Sequence, residues 1–340
     1  MKTERLQVSV HTLQMAADCP ERLALRLAGY DSVDDKALSL RAGVAVHEAL
    51  AAWMKGSDWQ SALLPYREWC EENDILPTER RSHENILQVL AEVIARHPRS
   101  ALPFEVTSPE YVEIDFVAPL GEASDGTPID LIGVIDALAR DRRTGQFVVI
   151  DHKTTGRLDE SYISTFNYDT QLTAYLLGVQ EVTGETVLEG WINAIQLAKV
   201  PDSDRRCTTH GTPYKECGPL HIKQTFVRVQ RTHEQLEEFR KLALRRAEKY
   251  VLPVARKVGK NAERAILTAP RDGMFGRTCD FCEFKTWCIT GNRQKALMST
   301  LLRPQEVIDE KRLRTSLFEV EADDDDPKKE KQSEKKGAEK

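Results

Sequence analysis

No stretch of the sequence approaches the roughly 20 apolar residues that a membrane-spanning helix needs, so no membrane role is expected. The opening MKTERLQVSVHTLQ lacks the basic-then-apolar layout of a secretory signal, and the expected location is the cytoplasm. No HExxH, GxSxG or Walker string is present, which leaves no starting point for a zincin, an α/β-hydrolase or a P-loop enzyme. No internal repeat is apparent. There is no strong excess of either charge: the net is −6, which argues neither for nor against nucleic acid, because binding it needs only a local basic groove. A disulfide framework is not expected of seven cysteines in a cytoplasmic chain.

What is present is a chain of 340 residues, 41% hydrophobic and 30% charged, enough for a substantial buried core. The first 100 residues read as a helical region. LSLRAGVAVHEALAAWM places Val44, His47, Leu50 and Ala51 on one helix face, and SALLPYREWCEEN and ENILQVLAEVIARH also have helical spacing. Then the period changes. YVEIDFVAPL, IDLIGVIDALAR and QFVVIDHKTT are rich in Val and Ile and are broken by turn residues, so they are expected as strands. YDTQLTAYLLGVQEV reads as a helix, GWINAIQL and HIKQTFVRVQ as strands, and His233 to about Val258 as a long helix. The fold class expected is α/β. The expected divisions are a helical region at 1–100, a strand-rich core at 101–232, a helical and cysteine-bearing segment at 233–300, and a tail at 301–340. From about residue 320 the tail, EADDDDPKKEKQSEKKGAEK, has nothing to bury and should be disordered.

The hairpin from Leu131 to Thr154 carries the chemistry. If its turn, DRRTGQ, centres between Arg143 and Thr144, paired positions sum to 287, and Asp136 falls opposite Asp151 on one face. Lys153, two residues on, shares that face. Carboxylates at the ends of buried runs cost free energy unless paired or metal-bound. Together they can hold a hard divalent cation, which acidifies water and neutralises phosphate charge, while a lysine stabilises developing negative charge. Taken alone, Asp151-x-Lys153 reads rather as an exposed ion pair at a strand end; Asp136 in register across the hairpin turns the reading to a functional one. An upstream acid, Glu110 or Glu113, is in supporting range, and alternation does not choose between them.

GVIDAL, then VVIDHKTT, then QLTAYLLG resembles the RecB-like branch of the PD-(D/E)XK nuclease superfamily. The matching positions are Gly133 and Asp136, Asp151 and Lys153, and Gln171 and Tyr175. The proline of the superfamily's name is missing before Asp136, as it commonly is in RecB-like members. The resemblance implies a restriction-endonuclease-like core, a mixed central sheet flanked by helices. It implies Mg²⁺ or Mn²⁺ held by His47, Asp136, Asp151 and the backbone carbonyl of His152, with Lys153, Gln171 and Tyr175 also catalytic. A lone histidine on a helix is otherwise usually a satisfied one, and Tyr175 in its apolar run would otherwise read as core. The function implied is metal-dependent hydrolysis of DNA, by an exonuclease of recombination, repair or phage DNA processing, with protein partners from those processes. The alternative is a non-catalytic DNA-binding or scaffold subunit that keeps the fold.

Cys279, Cys282 and Cys288 form a close triplet, and Cys19 stands far upstream. This set is similar to the iron–sulfur nucleases of the same branch, AddB and the RecB-like nucleases associated with CRISPR systems, and implies a [4Fe–4S] cluster that ties the chain ends together. Four thiolates also suit zinc. Cys207, His210, Cys217 and His221 have zinc-compatible chemistry but match no signature, and a hydrophilic insertion is the plain alternative. Cys70 reads as a helix-face residue. Leu242 to Leu267 is basic, either a solvated helix face or a DNA contact.

Overall fold

The computed structural model describes residues 4–32, 36–72, 83–96, 98–197, 204–206, 211–213, 216, 223–271, 277–280, 282–289, 302–304 and 318–320. Its centre is a mixed sheet of eight strands. The spine of that sheet is β5 (Pro128–Asp141). On one edge it pairs first with β4 (Val112–Glu122) and then with β3 (Phe104–Glu105), both antiparallel. On its other edge it pairs first with β1 (Glu4–Val8), in parallel, and then with β6 (Phe147–Thr155), antiparallel. The sheet continues through β7 (Glu189–Gln196), parallel to β6, and β8 (Gln224–Gln230), antiparallel to β7. Its eighth strand, β10 (Phe318–Val320), pairs antiparallel with β1, while β2 (Tyr30–Ser32) and β9 (Leu302–Pro304) form a separate two-stranded sheet. This is the mixed α/β architecture expected of a restriction-endonuclease-like core.

Helices cover both faces, and the sequence explains their ends. On one face lie α1 (Val10–Asp18), α2 (Pro20–Leu27) and, later in the chain, α8 (Thr170–Thr183). Ser9 caps α1 by accepting from the Thr12 N–H, and Asp169 caps α8 by accepting from the Leu172 N–H at 2.9 Å. Gly184, at φ 71°, ends α8 in the left-handed conformation that glycine adopts without cost. On the opposite face lie α3 (Lys36–Met54), α4 (Trp59–Ala62), α5 (Leu64–Glu72) and α6 (His83–Arg96). The short helix α7 (Glu160–Thr165) follows β6. The core face of α3 is Ala45, Val46, Ala49, Leu50, Ala51, Trp53 and Met54; Leu50 and Ala51 are buried as expected, whereas Val44 is 45% exposed.

After β8, α9 (His233–Arg246) starts at a capping box formed by Thr232 and Gln235. Its continuation, Ala247–Val251, widens to a π-helical turn before α10 (Leu252–Lys260). Pro253 accounts for this, since it has no N–H and its ring crowds the carbonyl four residues back. Then come α11 (Ala262–Thr268), α12 (Arg277–Asp280) and α13 (Lys285–Ile289). Among the described residues no helix is long and apolar enough to cross a membrane. One expectation needs correction. The N-terminal hundred residues are not purely helical, because β1 lies inside the main sheet beside β5.

Candidate active site

On the β1/β6 edge of β5, pairing with β1 stops at Leu131 and pairing with β6 starts at Ala137. The sheet therefore forks over the intervening residues, and Asp136 sits at the mouth of the fork. The β5–β6 register pairs Ala137 with Ile150 and Arg140 with Phe147, each summing to 287 as the sequence predicts. Extended by one step, it sets Asp136 level with Asp151. The turn is closed by Asp141, whose side chain accepts from the Arg143 and Thr144 N–H groups, and by Gly145 at φ 71°. At the fork the strands also change which face they present. Ile135 belongs to the core under α8, whereas Ala137 belongs to the core under α3.

Seven candidate residues converge here. His47 Nδ1, on α3, lies 3.3 Å from Asp136 Oδ2, and the same oxygen accepts the His152 backbone N–H at 2.7 Å. Lys153 Nζ lies 2.9 Å from Asp151 Oδ2 and donates to Gln171 Oε1 at 2.6 Å. Gln171 Nε2 in turn donates to Tyr175 Oη at 2.5 Å. A continuous chain of polar contacts thus runs from Asp151 through Lys153 and Gln171 to Tyr175. Asp151 is fully buried, and its Oδ2, although beside the ammonium, takes no hydrogen bond.

Burial and neighbouring charge push these groups in opposite directions. Burial raises Asp136, but the charge and hydrogen bond of His47 and the His152 N–H outweigh it and hold the carboxyl below its ordinary range. Burial pushes Asp151 up to about 7, with Asp136 repelling it and Lys153 opposing the rise. For His47, burial alone would lower the pKa, yet Asp136 and Asp151 raise it. Lys153 is likewise raised, because Asp151 and Asp169 overcome its desolvation. Two carboxylates pushed apart in this way mark a site built for chemistry.

Three motif residues serve packing. The ring of Phe116 on β4 lies against Gly133 of β5 and Gly178 of α8. A Cβ at Gly178 would stand 2.4 Å from Phe116 Cγ, and one at Gly133 would stand 2.7 Å from Cε1. Both glycines are needed for α8 to approach the sheet, and that approach brings Gln171 to Lys153. Tyr175 is both core and site: it is 7% exposed, meets Phe116 edge-on and keeps its hydroxyl on Gln171.

Sequence reasoning missed the imidazole of His152. It is buried, its Nδ1 lies 2.9 Å from Asn193 Nδ2, and Gln224 Nε2 donates to Asn193 Oδ1 at 2.8 Å. Burial pushes this ring down to about 4, so it is neutral. The signal was Asn193 itself, one polar residue inside the apolar run GWINAIQ.

None of the five described cysteines is in a disulfide. Cys19 joins α1 to α2, Cys279 lies on α12, Cys288 on α13, and Cys282 between them. Glu283 binds Arg22 at 2.8 Å and Arg26 at 3.0 Å, so α2 and the C-terminal triplet are joined. Burial pushes the Cys288 thiol up to about 12, and Cys282, Cys19 and Cys279 act in the same direction, so the other three cysteines all lie within electrostatic range of Cys288. Among the described residues, no three His, Cys, Asp or Glu side chains already converge as a coordination shell. Cys207, His210, Cys217, His221 and the tail beyond residue 320 lie outside the described residues. In the basic segment, Arg256 is committed to Asp125 at 2.6 Å, while Arg245, Lys257, Lys260 and Arg264 are exposed.

Two acids and a lysine at the fork of a mixed sheet, with a histidine and a Gln-x-x-x-Tyr helix closing over them, define a class of metal-dependent phosphodiesterases. The sequence profile of the PD-(D/E)XK nuclease superfamily matches residues 7–289, and the chain belongs to that superfamily. No curated protein matches the chain in sequence. A solved structure described as "Crystal structure of SSO0001" aligns at 14% identity and TM-score 0.35, covering 84% of this chain and 85% of that one.

Proposed function

We propose that the protein is a divalent-metal-dependent deoxyribonuclease of the RecB-like iron–sulfur branch, acting on DNA from its ends. The observation that supports this most is the joining of Asp136, Asp151, Lys153, Gln171 and Tyr175 at the fork, with His47 reaching in from the other layer. The donor set fits a hard cation: a fully buried carboxylate balanced by the Lys153 ammonium, and a second acid held ionised beside it. Asp136, Asp151, His47 and the His152 carbonyl would hold Mg²⁺ or Mn²⁺. Such an ion acidifies water and neutralises charge on the scissile phosphate.

The protein's own groups do the rest. Lys153 stays an ammonium and presents its charge to the phosphate. Gln171 holds that ammonium on one side and the Tyr175 hydroxyl on the other. Burial, then Asp136 and Asp151, keep Tyr175 protonated, so it acts as a hydrogen-bond donor and not as a base.

Cys19, Cys279, Cys282 and Cys288 would hold a [4Fe–4S] cluster. Burial and the neighbouring cysteines push the Cys282 and Cys288 thiols up, so in the metal-free protein these two resist ionising, and bound iron would balance the charge of the thiolates.

Purified protein with Mg²⁺ or Mn²⁺ should degrade end-labelled linear DNA and spare closed circles, single- or double-stranded, and chelation should stop it. Cleavage of circles would replace the end-dependent mode with an internal one. Absence of cleavage with either ion, or cleavage indifferent to chelation, would overturn the assignment.

A further inference from the structure

Glu113 is the one non-glycine among the described residues with a positive φ, at 59°, and it sits inside a strand. Backbone held there by a bulky residue is strained, and such strain clusters at functional sites. The β4–β5 register gives the position meaning. Val112 pairs with Ala137 and Ile114 with Ile135, while Glu113 and Asp136 between them drop out of the ladder. Val112 belongs to the core under α3 and Ile114 packs on the core under α8, so β4 changes face at Glu113 just as β5 does at Asp136. Glu113, Asp136 and Asp151 therefore stand level on three neighbouring strands.

Glu113 also lies within electrostatic range of the Tyr175 hydroxyl, which burial and then Asp136 and Asp151 raise more strongly. Glu110, the other upstream acid, is exposed in a short 3₁₀ turn, Pro109–Tyr111. Against three acids the site sets the ammonium of Lys153, 2.9 Å from Asp151 Oδ2, and the imidazole of His47, 3.3 Å from Asp136 Oδ2.

We propose that Glu113 is a third carboxylate of the cation-binding face, level with Asp136 and Asp151, and contributes to holding the divalent ion. This rests on the metal-dependent reading of the same site. The strained φ is then retained because the position, level with Asp136 and Asp151, needs a carboxylate that the more comfortable glycine would not supply.

The test is Mn²⁺ binding, by calorimetric titration of the full chain with the metal alone, together with thermal unfolding of the metal-free protein. Glu113→Gln should weaken Mn²⁺ by about 10–100-fold with an unchanged unfolding midpoint. Glu113→Gly should weaken it equally while raising the midpoint, because glycine accepts φ 59° freely. Parental affinity in both variants, or a fall in both midpoints, overturns the proposal. Asp136→Asn serves as the reference and should lose most Mn²⁺ binding. If Asp136→Asn loses the metal while Glu113→Gln keeps it, only the role of Glu113 fails. If Asp136→Asn also binds as the parent does, the cation site itself is wrong.

Discussion

A carboxylate as deeply buried as Asp151 stays ionised only if something nearby replaces the solvation it has lost. Lys153 supplies part of that, and the pKa still rises to about 7. The consequence has a definite sign. A divalent cation needs Asp151 without its proton and His47 neutral, and both groups are raised, so protons compete with metal as pH falls. Mn²⁺ affinity should tighten as pH climbs between about 6 and 8, by as much as about tenfold per unit for each proton displaced, then level off. Titrations at three pH values check this, and an affinity flat across that range would remove both groups from the ion's shell. Asp136→Ala and Asp151→Ala should each abolish cleavage while leaving DNA binding largely intact, by gel shift, because what is lost is a ligand of the ion. Lys153→Ala should keep the ion and lose rate, by roughly 10²–10³, or about 2.7–4 kcal/mol of barrier. A Lys153→Ala variant that cleaves at the parental rate would make the lysine an ion-pair partner only.

At the scale of elements, α8 is placed by shape. Phe116 fills the space left by the absent side chains of Gly133 and Gly178, and the helix comes down far enough for Gln171 to reach Lys153. Gly178→Ala should therefore cost about 1–3 kcal/mol by overpacking, and cleavage should fall with it. In a Phe116→Ala background the sign should reverse. The ring is gone, and alanine is the better helix former by about 1 kcal/mol. Thermal unfolding of the four proteins in that cycle checks the point; additive changes would mean that Phe116 does not set the helix height. The hairpin was legible in the sequence because its turn, DRRTGQ, fixes the register and the register puts Asp136 against Asp151. The fork was not legible. It depends on β1, five residues of which only Leu6 and Val8 are apolar and fully buried, pairing across more than 120 positions with β5. The change of face at Asp136 and Glu113 was hidden too, since a strand's period of two says nothing about where it slips.

For the whole molecule, the question is what holds the two ends of so long a chain against one another. Cys19 and Cys279 are 260 positions apart, and closing a loop of that length costs on the order of 5 kcal/mol of chain entropy. The Glu283 pairs with Arg22 and Arg26 and the Glu21 pair with Arg271 at 3.0 Å offset part of that cost, but partly exposed ion pairs contribute only about 1 kcal/mol each. A covalent or metal-mediated tie at the four cysteines would supply the remainder, and that is the role we expect of the cluster. Anaerobically purified protein should be brown and contain iron and sulfide in equal amounts. Cys19→Ser should bleach it and lower its unfolding midpoint, although Cys19 lies far in sequence from Asp136 and Asp151. Cys70→Ser, on α5 in the opposite layer, is the matched control and should leave colour and midpoint unchanged. A colourless protein loaded with zinc would replace the cluster by a tetrahedral thiolate site and leave the nuclease assignment standing. A soluble, brown Cys19→Ser variant would remove Cys19 from the ligand set, and the tie between the chain ends would then rest on the arginine–glutamate pairs and on Phe284 and Trp287 buried in the core with α2.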